Sequence, residues 1–148
     1  MSHPMIVKET VAFKSDAATV WDLIVNPEMT KQYMFGCEVL SDWHIGSAIT
    51  WEGKTEEGET VIFVKGAIIA FEAGKKTTFS MFDPNMGIAD IPANYVNLTY
   101  EVIPKEKGCD LVITQGDFQG TGNGEKRFEE AKKGWQMVIP NMKQLLNE

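Results

Sequence analysis

The chain has 148 residues, enough for one domain that buries about two-thirds of its unfolded surface, so no disulfide or metal staple is required. Its 43% apolar and 24% charged content is ordinary globular usage and excludes a disordered chain. A net charge of −7, with no lysine–arginine run, excludes the electrostatic footprint of a nucleic-acid binder.

Residues 5–13 read as a first strand, with β-branched Ile6, Thr10 and Val11 and interleaved charges. Ser15 then has the character of a helix N-cap, with Asp16 in the first turn. Ala17, Val20, Trp21 and Ile24 follow at one-face helical spacing. Asn26-Pro27 closes that helix, because a residue before proline avoids the α region, and Pro27 opens a second short helix to about Met34.

From Glu38 to Phe118 the period changes to two. Ile49 and Trp51 alternate, 61–64 and 67–71 are apolar runs, and Phe79 and Met81 alternate. Val96, Leu98, Tyr100 and Val102 give the cleanest strand signal, followed by Leu111, Ile113 and Gln115. Turn residues at Gly53, Gly58, Gly74, Asp83-Pro84-Asn85 and Gly108 separate these runs, which argues for about six strands in antiparallel hairpins.

After the break at 120–124, Phe128, Ala131, Trp135, Val138, Met142 and Leu145 form one apolar stripe on a long helix. Such a stripe needs an apolar partner, and the sheet is the available one. Pro140 within it predicts a kink. Lys126, Arg127, Lys132 and Lys133 alternate with Glu125, Glu129 and Glu130 and read as a solvated face, with Glu129 and Lys133 at pairing distance. No second domain or internal repeat is visible, so 1–148 is expected to be a single domain.

Chemical signatures are sparse. Cys37 and Cys109 form no paired pattern and are expected to be reduced. Residues 1–8 lack the features of a signal peptide, and no apolar run reaches membrane-spanning length, so a cytoplasmic location is expected. His3 lies near the terminus and His44 beside Trp43 in a turn, and neither forms a recognisable catalytic constellation. The loop from Gly120 to Lys126 does not have phosphate-loop spacing. Among the scattered carboxylates, Asp117 stands at a strand end that would lie near a cavity mouth. Neither a cofactor nor a metal is expected.

Three stretches carry a family resemblance. Ser15-Asp16 with Val20-Trp21-Asp22 and Asn26-Pro27-Glu28 resembles the first helix signature of the START-like, Bet v 1-like (SRPBCC) superfamily. Gly46-Ser47 with Trp51-Glu52-Gly53 resembles its next strand pair. Gly134-Trp135 with Val138-Ile139-Pro140-Asn141-Met142 and Leu145-Leu146 resembles the closing helix of the Hsp90-ATPase-activator C-terminal-domain-like (AHSA1-like) branch. The resemblance implies an α+β helix-grip fold, a curved antiparallel sheet of about seven strands gripping the last helix, with two short helices after the first strand. It also implies a cavity that often holds a lipid, sterol or aromatic metabolite. Many relatives carry a histidine where this chain has Gln115, and that histidine's role is not transferred.

These readings converge on an apolar or amphipathic small-molecule ligand bound between sheet and helix. The expected lining is Trp51, Phe63, Phe79, Met81, Leu98, Tyr100, Ile113, Gln115, Phe128, Trp135 and Met142, with Tyr100 and Gln115 orienting the ligand. Two alternatives stay open: a stress-related interaction protein with a chaperone partner, and a cyclase- or hydrolase-like enzyme using the same pocket. Monomer and homodimer are equally compatible with the sequence.

Overall fold

The computed structural model describes residues 4–148. In chain order it comprises β1 (Val7–Phe13), α1 (Ala17–Val25), α2 (Pro27–Tyr33), β2 (Glu38–Ser41), β3 (Ala48–Lys54), β4 (Thr60–Glu72), β5 (Lys76–Met81), a single 3-10 turn (Pro92–Asn94), β6 (Val96–Pro104), β7 (Cys109–Gly116) and α3 (Gly124–Leu145). The strands form one seven-stranded antiparallel sheet in the order β1-β7-β6-β5-β4-β3-β2. With α3 this is the α+β helix-grip arrangement expected from the sequence.

The N-cap of α1 is Asp16 rather than Ser15, its carboxylate accepting from Thr19 N at 2.9 Å. Ser15 is drawn off by the far end of the chain: its N–H and hydroxyl both donate to Glu148 Oε2, at 3.0 and 2.7 Å. Asn26 serves both short helices. Its N–H closes α1 on Asp22 O, and its side chain caps α2 by accepting from Glu28 N, with Pro27 in the first turn. The Tyr33 hydroxyl donates to Leu23 O at 2.6 Å and ties the two helices together.

Two glycines have a different role from the one their composition suggests. Gly53, expected in a turn, lies inside β3 just after a register shift at Trp51/Glu52. The runs 61–64 and 67–71 are one thirteen-residue strand, β4, that passes through Gly66. A Cβ at Gly66 would stand 1.7 Å from Ser80 O, so the close approach of the β5 backbone requires glycine there. β4 pairs with β3 through residues 60–67 and with β5 through residues 68–72, where a second shift falls between Ile68 and Ala70. Shifts of this kind bend and twist a strand.

On β6 and β7 the alternation holds. Val96, Leu98, Tyr100 and Val102 are buried, as are Cys109, Leu111, Ile113 and Gln115. Register places Leu98 opposite Gln115, and Tyr100 opposite Ile113. From α3, Trp135, Val138 and Met142 are buried in the same core, with Phe128, Ala131 and Leu145 packed at its edge. Pro140 sits on the exposed side of α3 and cannot donate to Gln136 O, yet the helix runs on to Leu145.

The charged face of α3 differs from expectation at two points. Glu129 pairs with Lys132 at 3.0 Å rather than with Lys133. Arg127 is buried, not solvated: its Nη1 donates to Asn94 O at 2.9 Å and its guanidinium lies 5.8 Å from the Phe118 ring centre.

Candidate functional site: an apolar cavity under the last helix

A cavity of about 420 Å³ lies between the curved sheet and α3. Its walls come from the loop after α2 (Met34, Phe35, Cys37), from β3 and β4 (Trp51, Phe63, Val64), from β5 to β7 (Met81, Leu98, Tyr100, Gln115) and from α3 (Ala131, Gly134, Trp135, Val138). Phe35 and Phe63 are 64% and 42% exposed, which marks where the cavity meets solvent. Trp51, Leu98, Tyr100 and Trp135 lie deep in it.

The α3 wall follows from side-chain size. Residues 131, 134, 135 and 138 share one helical face, and two of them are alanine and glycine. A Cβ built on Gly134 would meet nothing within 4 Å. Across the cavity, Gly53 lets Phe63 lie close to β3, since a Cβ there would stand 2.9 Å from the Phe63 ring and 3.6 Å from Cys37 Sγ.

One hydrogen-bond chain crosses the wall. Trp135 Nε1 donates to Gln115 Oε1 at 2.8 Å, and Gln115 Nε2 donates to Met81 Sδ at 3.1 Å. Tyr100 meets Trp135 edge-on, with ring centres 6.1 Å apart at 86°. Gln115 thus bridges Trp135 and Met81 while bordering the cavity. Two other buried donors, the Tyr100 hydroxyl and Trp51 Nε1, have no hydrogen-bond partner among the described residues.

Among the described residues no charged side chain lines the cavity. Burial pushes the Tyr100 phenol and the Cys37 thiol above their usual pKa values, so both stay protonated near neutrality. A protonated phenol donates a hydrogen bond but does not act as a base.

Of the residues expected to line the site, Trp51, Phe63, Met81, Leu98, Tyr100, Gln115 and Trp135 border the cavity. Phe79, Ile113 and Met142 are fully buried in the packed core instead. Phe128 is half-buried at the edge of that core, 6.1 Å from Phe118 between ring centres. The sequence reading missed Met34, Phe35 and Cys37, which lie in a loop with no periodicity. It also missed Val64, Ala131, Gly134 and Val138. The small residues at 131 and 134 on the Trp135 face were the available signal.

The polar residues singled out earlier lie elsewhere. Asp117 is exposed, and its Oδ1 accepts from Met5 N at 2.8 Å and Gln119 N at 2.9 Å, a clamp on two backbone segments rather than part of a cavity mouth. His44 is exposed in a turn, and His3 lies outside the described residues. Cys37 and Cys109 are free thiols, both buried. Among the described residues no group of three or more His, Cys, Asp or Glu side chains is placed to hold a metal, and no helix is long and apolar enough to cross a membrane.

A curved antiparallel sheet closed by a C-terminal helix over an apolar cavity defines the helix-grip class. Residues 14–147 match the family described as Activator of Hsp90 ATPase homolog 1-like protein, and the chain belongs to that family. A Cytophaga hutchinsonii protein solved in solution is 31% identical, with a TM-score of 0.79 over 99% of this chain and 97% of that one. A crystal structure from Chromobacterium violaceum shares the fold at 18% identity, with a TM-score of 0.77 over 99% of both chains. The crystal structure of an HSP90 activator from Plasmodium falciparum shares it at 15% identity, with a TM-score of 0.70 over 97% and 96% of the two chains. No curated protein matches the sequence significantly.

Proposed function

We propose that this AHSA1-like chain is a binding module for an apolar or amphipathic, lipid-like small molecule, held between the sheet and α3. The observation that carries the reading is the cavity of about 420 Å³ with an uncharged, predominantly apolar lining. That size falls within the range of small-molecule sites, about 300–1,000 Å³. The uncharged lining speaks against acid–base chemistry in the same space. The test is titration with a naphthalene-type fluorescent probe, expected to bind with micromolar affinity, roughly −8 kcal/mol. Gly134→Leu projects a side chain into the open space above Gly134 and should abolish binding while far-ultraviolet circular dichroism stays native. Equal binding to the filled variant would place the probe on the surface and overturn the reading.

The family description and the likeness to an HSP90 activator support a second reading, a chaperone-binding surface. It predicts stimulation of a chaperone ATPase that Gly134→Leu leaves intact. Loss of stimulation together with probe binding would join the two readings in one protein.

A further inference from the structure

A single exposed phenylalanine on a protein surface is ordinary, but Phe35 combines three further features. It borders the cavity and is nevertheless 64% exposed. Its backbone is left-handed, with φ at +53°, a region that bulky side chains rarely adopt and that is over-represented at ligand clamps and switch segments. Little packs around its loop. Gly36 is also left-handed, at +83°, and a Cβ built on it would meet nothing within 4 Å. The loop is a single turn at the end of α2, closed by the Cys37 N–H donating to Met34 O at 2.9 Å.

A second exposed aromatic side chain stands beside this loop. The Phe63 ring and Cys37 Sγ both lie within 4 Å of the Cβ position of Gly53, and Phe63 is 42% exposed. Turned over an empty cavity, the Phe35 ring would cover a void and find few partner atoms on its inner side. Turned over an apolar ligand, it would be in contact on that side and lose apolar surface to solvent. Occupancy therefore favours the inward position, and a ligand shifts the loop's population by that difference.

We propose that Phe35 is the gate of the cavity: a bound apolar ligand draws residues 34–36 out of the left-handed turn and lays the Phe35 ring over the mouth beside Phe63. The proposal rests on the cavity being a ligand site and specifies how that site retains its occupant. The open turn admits the ligand, and the inward ring slows its escape.

The test uses N-phenyl-1-naphthylamine, a neutral fluorescent probe. In stopped-flow displacement, Phe35→Ala should release it at least about fivefold faster than the parent chain, since changes at a binding contact appear mostly in dissociation. A rigid wall residue would also give faster release, so the backbone is read directly. The one-bond Cα–Hα coupling of Phe35, measured by nuclear magnetic resonance, separates positive from negative φ. It should report a left-handed residue in the free protein and a negative φ at saturating probe. A coupling that is the same in both states makes Phe35 a fixed wall and overturns the gate while the binding reading stands. Unchanged release from Phe35→Ala overturns it as well. If the parent chain does not bind the probe, the binding reading itself fails and the gate falls with it.

Discussion

The inner face of α3 changes character along its length. Toward the C-terminus it is filled: Met142 is fully buried, the Lys143 ammonium lies 4.9 Å from the Phe13 ring centre of β1, and Glu148 reaches back to Lys14 and Ser15. Around its middle, Ala131 and Gly134 flank Trp135 and leave open space above the sheet. Both halves belong to one stripe of unbroken helical spacing. Periodicity therefore decides which face turns inward, and side-chain volume decides whether the space beneath is solid or hollow.

Paired methionine truncations test that division most strongly. Met142→Ala should cost about 2–5 kcal/mol, because it opens a void in a closed part of the core. Met81→Ala should cost less than about 2 kcal/mol, because that half-buried side chain already borders empty space. Urea midpoints at constant slope measure both. Equal losses would erase the distinction between the two halves.

A smaller effect of opposite sign is expected at Gly134. Gly134→Ala removes a mid-helix glycine and adds a methyl group where nothing lies within 4 Å, so stability should rise by about 0.5–1 kcal/mol. A loss in thermal denaturation would show that this part of the helix is crowded.

The smallest effect belongs to Glu148. Partial burial pushes its carboxyl pKa up, but hydrogen bonds from Lys14 N, the Ser15 hydroxyl and Ser15 N, with the nearby Lys143 charge, outweigh that and hold it below the usual value. A depressed folded-state pKa contributes stability above the unfolded pKa, and that stability is lost as pH falls through the folded value. Glu148→Gln should therefore cost less than about 1 kcal/mol at neutral pH, given its solvent exposure, and the difference from the parent should shrink in acid. A difference that grows on acidification would contradict the assignment.

The order of elements was legible because each depends on local chemistry: Asn26-Pro27 at the joint of two helices, strict alternation from Val96 to Val102, and the helical stripe through Trp135. Errors arose where a distant residue decided. Ser15 and Asp16 are both competent caps, and Glu148 takes Ser15 away. Gly53 read as a turn, and the runs 61–64 and 67–71 read as separate, yet glycine is required in both places by a close approach from another part of the chain: the Phe63 ring at Gly53 and the Ser80 backbone at Gly66. Within the site, Tyr100 and Leu98 were legible from the alternation of β6. Ile113 faces the same way but is packed beneath its neighbours, and depth has no signature in a period of two. The unpartnered indole of Trp51 was equally invisible, since satisfaction of a donor depends on what the fold brings near it.

The sheet does not close into a barrel, and this bears on how copies of the chain meet in solution. Among the described residues its two outer strands, β1 and β2, each leave one row of backbone groups unpaired by another strand. Such rows invite strand-to-strand aggregation unless they are short, charged or covered. β2 is only four residues long and has α2 packed beside it, while β1 carries exposed Lys8 and partly exposed Glu9. Neither margin offers a long, flat, apolar template, so edge-to-edge polymerisation is disfavoured at both.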